Sequence, residues 1–462
     1  MFCIDYLPLL RSIELQGHEV TTLGGLLREP LMNGVFKRPE AAGYGTKLIN
    51  VFDLYGDTVV NLDRVDRVEI PRTEIEKYGV AAGDIFFTRS SLKPAGVAWS
   101  AYLEDIVVDE AVFECHIIRA RTDRDRAIPG FVSNYARTRL ARAYLTSRAS
   151  VTTMATIDQP GISDLPVILP LPKQQRTLLA ALDACRIASH EKFARADTLL
   201  ASLDDFILEA LQLSLPSMNW RTTYAVRAGD ACKAKKLFPD YFHPERMSAI
   251  RNVEARYKDD RAKALLDITD FIRDQRIVKP DDDYLGLANV QPNTGERIES
   301  SEEDGKGNCF CYRKGDVLFA RLRPYLNKVY SAEKGGVCST EFHVIRVRLD
   351  VDGRPLLHPD YLAAVLRSRI VLSQTRHMMT GNTHPRLANE DVGNLVVPVP
   401  DPKIQEKIAT EVYDRRKRAR SLYDEARTLL DAAKCRFEEE LLEPEPGRQK
   451  MQAIEAKSRI DV

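Results

Sequence analysis

Gly83-Asp84-Ile85-Phe86-Phe87-Thr88-Arg89 decides the architecture, because Gly315-Asp316-Val317-Leu318-Phe319-Ala320-Arg321 repeats it half a chain later. Self-similarity at a fixed interval marks a duplicated unit and is read before any secondary structure. Two further matches follow in the same order. Phe113-Glu114-Cys115-His116-Ile117-Ile118-Arg119-Ala120-Arg121 aligns with Thr340-Glu341-Phe342-His343-Val344-Ile345-Arg346-Val347-Arg348 at nearly the same interval. Leu169-Pro170-Leu171-Pro172 aligns with Val397-Pro398-Val399-Pro400, and each proline pair precedes a Gln and a long helical pattern. Three ordered matches at nearly constant interval make the chain two homologous halves, roughly 1–213 and 220–442.

Each half begins with a mixed module of ordinary domain size. Leu48 to Phe52, Asp84 to Thr88 and His116 to Arg121 are rich in Ile, Val and Phe and read as strands. Leu285 to Val290, Asp316 to Ala320 and His343 to Arg348 are the strands expected in the second half. Gly-Asp before two of these runs signals a turn. Pro129 to Thr146 and Pro359 to Met378 read as helices.

Each half ends in one long helix, about Lys173 to Leu213 and about Lys403 to Leu442. In the first, Phe193, Ala196, Leu200, Leu203, Ile207 and Ala210 alternate steps of three and four; in the second, Ala419, Leu422, Ala426, Leu429 and Ala433 do the same. That spacing is a coiled-coil seam, with Ala suited to close approach beneath the larger side chains. The prolines set where each helix starts, since proline is tolerated only before or within the first turn. Leu215-Pro216-Ser217-Met218-Asn219 breaks the pattern between the halves, and the segment after Glu443 is polar with two prolines and reads as frayed.

Lys+Arg and Asp+Glu number 67 each, so the net charge is zero. A zero sum argues against a nucleic-acid binder only if the charges are evenly spread. No run approaches the ~18 apolar residues of a membrane span, and the first residues lack a signal pattern, so a cytoplasmic protein is expected. Of eight cysteines only Cys309 and Cys311 are close in sequence, in a spacing poor for zinc, and buried free thiols are expected. No metal site is read from the sequence.

Catalytic signatures are missing. The sequence has no G-x-x-x-x-G-K-[ST] loop, no Asn-Pro-Pro-Tyr-like methyltransferase motif and no Ser/His/Asp set. Pro400-Asp401-Pro402-Lys403 has one acid at a helix start and reads as a cap. His116 and His343 occupy matched places and read as core histidines. A duplicated, catalytically bare chain suits a binding element better than an enzyme.

The chain resembles the specificity subunits of type I restriction–modification systems. The resemblance rests on the Gly83 and Gly315 segments and on Lys47-Leu48-Ile49-Asn50-Val51. It rests also on Asp283-Tyr284-Leu285-Gly286-Leu287 with Asn293-Thr294-Gly295. At the module ends it rests on Gln159-Pro160-Gly161-Ile162 with Gln175, and on Asn382-Thr383-His384-Pro385-Arg386-Leu387 with Gln405. It spans nearly all of residues 1–442. The resemblance implies α/β (mixed α+β) target-recognition modules, two in tandem, separated by two long antiparallel coiled-coil helices. The corresponding boundaries are 1–172 and 222–402 for the modules, 173–213 and 403–442 for the helices, 214–221 for the linker and 443–462 for the tail. Each module would read one half of a bipartite double-stranded DNA site. Methyltransferase subunits, two of them, and restriction–translocase subunits would be the partners. The S-adenosylmethionine, ATP and magnesium of such systems would bind those partners, leaving this chain without a cofactor of its own. A forty-residue helix is ~60 Å long, room for at most ~17 base pairs.

Basic residues at strand ends are the expected DNA contacts, since Arg and Lys there reach phosphate or guanine. They are Arg89 and Lys93 in the first module, and Arg321, Arg323, Tyr325 and Lys328 in the second, with Lys37, Arg38, His384 and Arg386 beside them. Phe193, Leu200, Leu203, Ile207, Leu422 and Leu429 are the expected helix-packing residues. The densest basic run, Arg415 to Arg418 with Arg420, would face phosphate, a partner or solvent. Met32 to Asp63 has little in common with Val253 to Ser301, so the two modules would read different half-sites. A protein scaffold without sequence-specific DNA binding is the competing class.

Overall fold

The computed structural model describes residues 19–36, 44–104, 110–151, 153–215, 223–234, 237–258, 260–298, 307–378 and 385–442. The linker expected around Pro216 to Asn219 and the tail beyond Leu442 lie outside them. The chain divides into two compact units, residues 1–190 with 425–462, and residues 191–424.

In the first unit, β1 (Ile85–Thr88) lies in a four-stranded antiparallel sheet between β2 (Ile117–Ala120) and Ser100–Tyr102, with Met32–Asn33 outside β2. All four residues of β1 are buried, as expected of a strand covered on both faces. Phe87, Ile118, Phe131 and Tyr135 share the main core, and Phe86, Phe113 and Ile117 fill a second one. A smaller sheet runs Asp66–Val68, Thr46–Ile49, Ala111–Phe113, its last pair parallel.

The second unit repeats this plan. β3 (Val317–Ala320) lies between β4 (Phe342–Val347) and Val329–Ser331, with Thr269–Ile272 outside β4. Tyr284–Leu285 again pairs parallel, with Gly336–Ser339. Gly83 and Gly315, which open the repeated segment, both have positive φ (75° and 85°), a conformation glycine adopts without penalty. Asp84 and Asp316, both buried, then close the turn by accepting the backbone N–H of Ala81 and Arg313 at 2.9 and 2.8 Å.

Strand register corrects the sequence alignment. Ile85 faces Ala120, and Val317 faces Ile345, so Ile118 rather than His116 is the counterpart of His343. His116 is an exposed turn residue ahead of β2, not a core histidine on a strand. The true equivalents are Arg121 and Arg346, which bind Asp84 at 2.5 and 3.0 Å and Asp316 at 2.7 and 2.7 Å, each as a fork. The proline match shifts by two positions as well. The long helices α1 (Pro172–Leu211) and α2 (Pro402–Leu442) make Pro402, not Pro400, the counterpart of Pro172. Gln175 and Gln405 lock these starts in the same way. Their Oε1 atoms accept Ile128 N and His358 N at 2.9 Å, and their Nε2 atoms donate to Pro170 O and Pro400 O at 2.8 and 2.9 Å.

Three other expectations change. Leu285 to Val290 is a strand only at Tyr284–Leu285; Asn289 Oδ1 accepts Gly286 N at 2.8 Å and turns the chain. Pro129 to Thr146 and Pro359 to Met378 each break in two, before Arg139 and Arg369. The break follows Thr138, which caps the second helix through Ala141 N at 3.3 Å, and Ser368 stands in the matching place. Cysteine burial is mixed: Cys309 and Cys338 are buried, whereas Cys232 and Cys435 are exposed.

Each unit contains a piece of both long helices. In the first, Phe437 and Leu441 of α2 enter the core, with the Phe437 ring 5.9 Å from Phe131. Arg139 caps that contact, its N and Nε each 2.7 Å from the Glu438 carboxylate. In the second, Ile207, Leu208 and Leu211 of α1 enter the core, and Arg369 N and Nε bind Asp204 at 2.9 and 2.6 Å. α1 ends in a Schellman motif: Gln212 takes φ 54°, Leu213 N donates to Leu208 O at 2.9 Å and Gln212 N to Glu209 O at 2.9 Å. Within the second unit the helix pieces run antiparallel, with Phe193 against Tyr423 (6.0 Å) and Ser202 Oγ accepting from Arg415 at 2.9 Å. Ala196, Ala419, Ala426 and Ala433 are buried, while Phe193, Leu200, Leu203, Leu422 and Leu429 are half-buried beside them and Ile207 is buried.

Candidate nucleic-acid interface

Arg89 and Arg321, the last residues of the repeated segment, are held identically. Arg89 N donates to His116 O at 2.7 Å and its carbonyl accepts Ile157 N at 3.0 Å; Arg321 N donates to Glu341 O at 2.8 Å and its carbonyl accepts Leu387 N at 3.1 Å. Each backbone is therefore pinned on both sides at the mouth of a loop. Arg89 is exposed, with no ion-pair partner among the described residues. Arg321 is half-buried, with its Nε out of solvent and unpartnered.

The loops then diverge. In the first module Ser90 to Trp99 wraps a mostly apolar cleft of about 650 Å³, lined by Tyr55, Leu92, Lys93, Trp99, Glu114 and His116 among others. Thr88 Oγ1 donates to Gly96 O at 2.5 Å and Tyr55 OH to the same carbonyl at 3.2 Å, which fixes the loop. Arg137 and Arg142 lie over the Trp99 ring, 4.9 and 5.4 Å from its centroid. Burial pulls both guanidinium groups down to about 10. Lys93 is exposed at the rim beside Leu92, itself 81% exposed.

In the second module two non-glycine residues, Arg323 and Asn327, hold left-handed backbone (φ 49° and 51°) on either side of Pro324 and Tyr325. Such strain persists only where surrounding bonds enforce it. Here Arg323 N donates to Pro385 O at 2.8 Å, and Asn327 Nδ2 to Arg367 O at 2.7 Å. The result presents Arg323 and Tyr325 to solvent. Lys328 and Arg386 are differently placed. Lys328 Nζ donates to Leu287 O at 2.7 Å, and Arg386 forks onto Glu341 at 2.8 and 3.1 Å, holding that carboxyl below its ordinary range. Lys37, Arg38 and His384 lie outside the described residues.

His343 sits beneath this loop on β4, 3% exposed, between Phe271 and Phe319. Burial first, and then nearby Arg321, pushes its imidazole down to about 4.

The basic run on α2 is divided, with Arg415 and Arg416 half-buried and Lys417, Arg418 and Arg420 exposed. Arg415 pairs with Glu411 at 2.7 Å, and Arg416 and Arg420 both bind Glu296 of the module. Lys417 and Arg418 alone of this run remain exposed without such a partner among the described residues. In the first unit Arg186 plays the part of Arg416, reaching Glu104 at 3.1 Å and Asp57 at 3.5 Å.

No family model matches the chain. The type I restriction enzyme EcoDI specificity subunit of Escherichia coli is 21% identical over 282 residues, 58% of this chain. This chain is similar to type I restriction specificity subunits. The chain covers 59% of that relative's length. Among solved structures, the type I restriction–modification S subunit from M. genitalium superposes with a TM-score of 0.46 at 13% identity, over 92% of this chain and 96% of that one. A chain from a structural study of complex assembly and conformational transition of the type I restriction–modification system gives 0.45 at 13%, over 92% and 97%.

Sequence reasoning misses the aromatic cleft of Tyr55 and Trp99 and the anchoring acids Asp57, Glu104 and Glu296. The cleft residues lie between the repeated segments, where no internal copy flags them. The acids have a weak signal, since Arg186 and Arg416, which bind them, stand at matched places on the two long helices. No helix among the described residues is long and apolar enough to cross a membrane.

Proposed function

We propose that this chain is the DNA-specificity subunit of a type I restriction–modification complex, non-catalytic and cytoplasmic. Each module reads one half of a bipartite target on double-stranded DNA. The observation that carries this reading is the pair Arg89 and Arg321, pinned by the same two backbone bonds at the head of loops that otherwise differ. A fixed frame with variable loops is what two readers of different sequences require, because phosphate contacts set register while loop side chains choose bases.

Arg89, Lys93, Arg321, Arg323 and Tyr325 are the contact residues in this proposal, with Lys37, Arg38 and His384 as further candidates. Lys328 and Arg386 shape the second loop through Leu287 and Glu341. The long helices act as a coiled-coil spacer between the readers, with Phe193, Leu200, Leu203, Ile207, Leu422 and Leu429 along its seam. Two methyltransferase subunits dock on this frame, and restriction–translocase subunits join for cleavage.

Single-molecule modification mapping of a host carrying the operon, against a deletion of this chain, tests the reading. A split, asymmetric methylated motif that vanishes with the deletion is expected. An unchanged methylome would overturn the function, and a palindromic motif would overturn the asymmetry.

A further inference from the structure

His243, Glu245 and His377 come together in the second unit. Ligand-capable atoms of the three side chains all lie within 4.8 Å of one another. We propose that they form a zinc site that ties the start of the helix Pro244–Arg256 to the segment after Arg369–Thr375. The inference is independent of the DNA-reading function.

The local sequence builds two of the ligands. His243 stands at the cap of the helix with φ −51° and ψ 134°, and Pro244 takes its first position. The cap places His243 and Glu245 on the same end of the helix, where His243 Nδ1 accepts Glu245 N at 3.2 Å. The helix start favours a carboxylate there. His377 arrives from a distant part of the second unit. Its ring stacks on His243 with centroids 3.5 Å apart and planes 13° from parallel. Its Nε2 lies 2.7 Å from Glu245 Oε2.

The chemistry of the donor set fits. Two imidazoles and one carboxylate are a familiar zinc combination, with bonds of ~2.0–2.2 Å that put neighbouring ligand atoms roughly 3.3 Å apart on a tetrahedral ion. The 2.7 Å contact of His377 with Glu245 and the 4.8 Å limit on the whole set bracket that value, and an ion would draw the two stacked rings apart so that their in-plane lone pairs converge on it. The other oxygen of Glu245, which is 6% exposed, is oriented by Arg376 Nη1 at 3.3 Å, as a supporting partner orients a metal-bound carboxylate. Both histidines line a cleft of about 730 Å³ with Tyr224, Asp240 and Phe242, which gives an ion a way in and a place for a fourth, water ligand.

The test uses the purified full-length chain, with its co-purifying partners, stripped by chelator and titrated with zinc chloride against a chromophoric chelator. One tight equivalent is expected. H243A and H377A should each weaken it at least tenfold, and the conservative variants H377Q and E245Q should do so while keeping the circular dichroism of the parent. Cobalt(II) in the same site should give visible d–d bands without thiolate charge transfer. The proposal is overturned if the double variant H243A/H377A takes up as much zinc as the parent. It is equally overturned if cobalt shows the near-ultraviolet bands of cysteine ligation, or if the parent takes up none.

Discussion

Arg416 Nε lies 2.5 Å from Glu296 Oε1, with the two side chains only 15% and 12% exposed. Arg420 grips the other oxygen from one turn further along α2. The carboxylate is withdrawn from water and compensated almost wholly by one helix. Leaving a buried charge without any partner costs about 3–5 kcal/mol, and removing one of two partners costs a part of that. R416A should therefore lower the melting temperature by several degrees, and E296Q should do the same. Thermal unfolding of both variants checks this, and unchanged transitions would refute it.

Phe437 carries α2 into the core of the first unit, its buried ring packed beside Phe131. Phe437→Ala should cost about 3–5 kcal/mol by cavity formation. The loss should concentrate in amides of the first unit when followed by hydrogen exchange. Uniform loss across both units would argue against a core role confined to the first.

His343 makes stability depend on acid. Histidine ordinarily titrates near 6.5, and in the fold it is pushed down to about 4. The fold thus favours the neutral ring, and protonation favours the unfolded chain. The contribution is complete above about pH 6.5 and is lost as pH falls towards 4, by up to roughly 3 kcal/mol. H343I, which copies Ile118 of the first module, should flatten denaturant-midpoint changes between pH 6.5 and 4. A variant with the same acid slope as the parent would show that another group is responsible.

Arg89 and Arg321 differ in exposure, so their replacements should differ too. Arg89→Ala should weaken DNA binding by the complex and reduce the log-affinity against log-salt slope by about one. Arg321→Ala should shift the loop as well as the affinity, because its backbone neighbours and His343 lie beneath it. Fluorescence anisotropy over a salt series separates the two, and equal slopes for Arg89→Ala and the parent would remove Arg89 from the interface.

The duplication and the strands around Gly83 and Gly315 were legible because glycine turns and buried β runs leave local marks in sequence. The helix starts were legible to within one residue, at Lys173 and Lys403, because prolines mark them, although the match of Pro172 to Pro400 was two positions off. The two-residue slip at His116 was not, since a histidine and its neighbours match by letter while the hydrogen-bond register that distinguishes them is non-local. Nor did the sequence reveal that Arg416 and Arg420 converge on Glu296, because a basic run reads alike whether it faces water or a distant carboxylate. The cleft at Trp99 depends on Tyr55, Glu114 and Met154, which converge from separate segments.

The pairing of Phe131 with Phe437 also sets a schedule, because 306 positions separate the two rings along the chain (437 − 131). At about 5–20 residues per second, a ribosome needs on the order of 15–60 s to deliver the second ring after the first. For that interval the first module carries an uncovered apolar surface, so a nascent chain stalled before Phe437 is a natural client for chaperones and proteases.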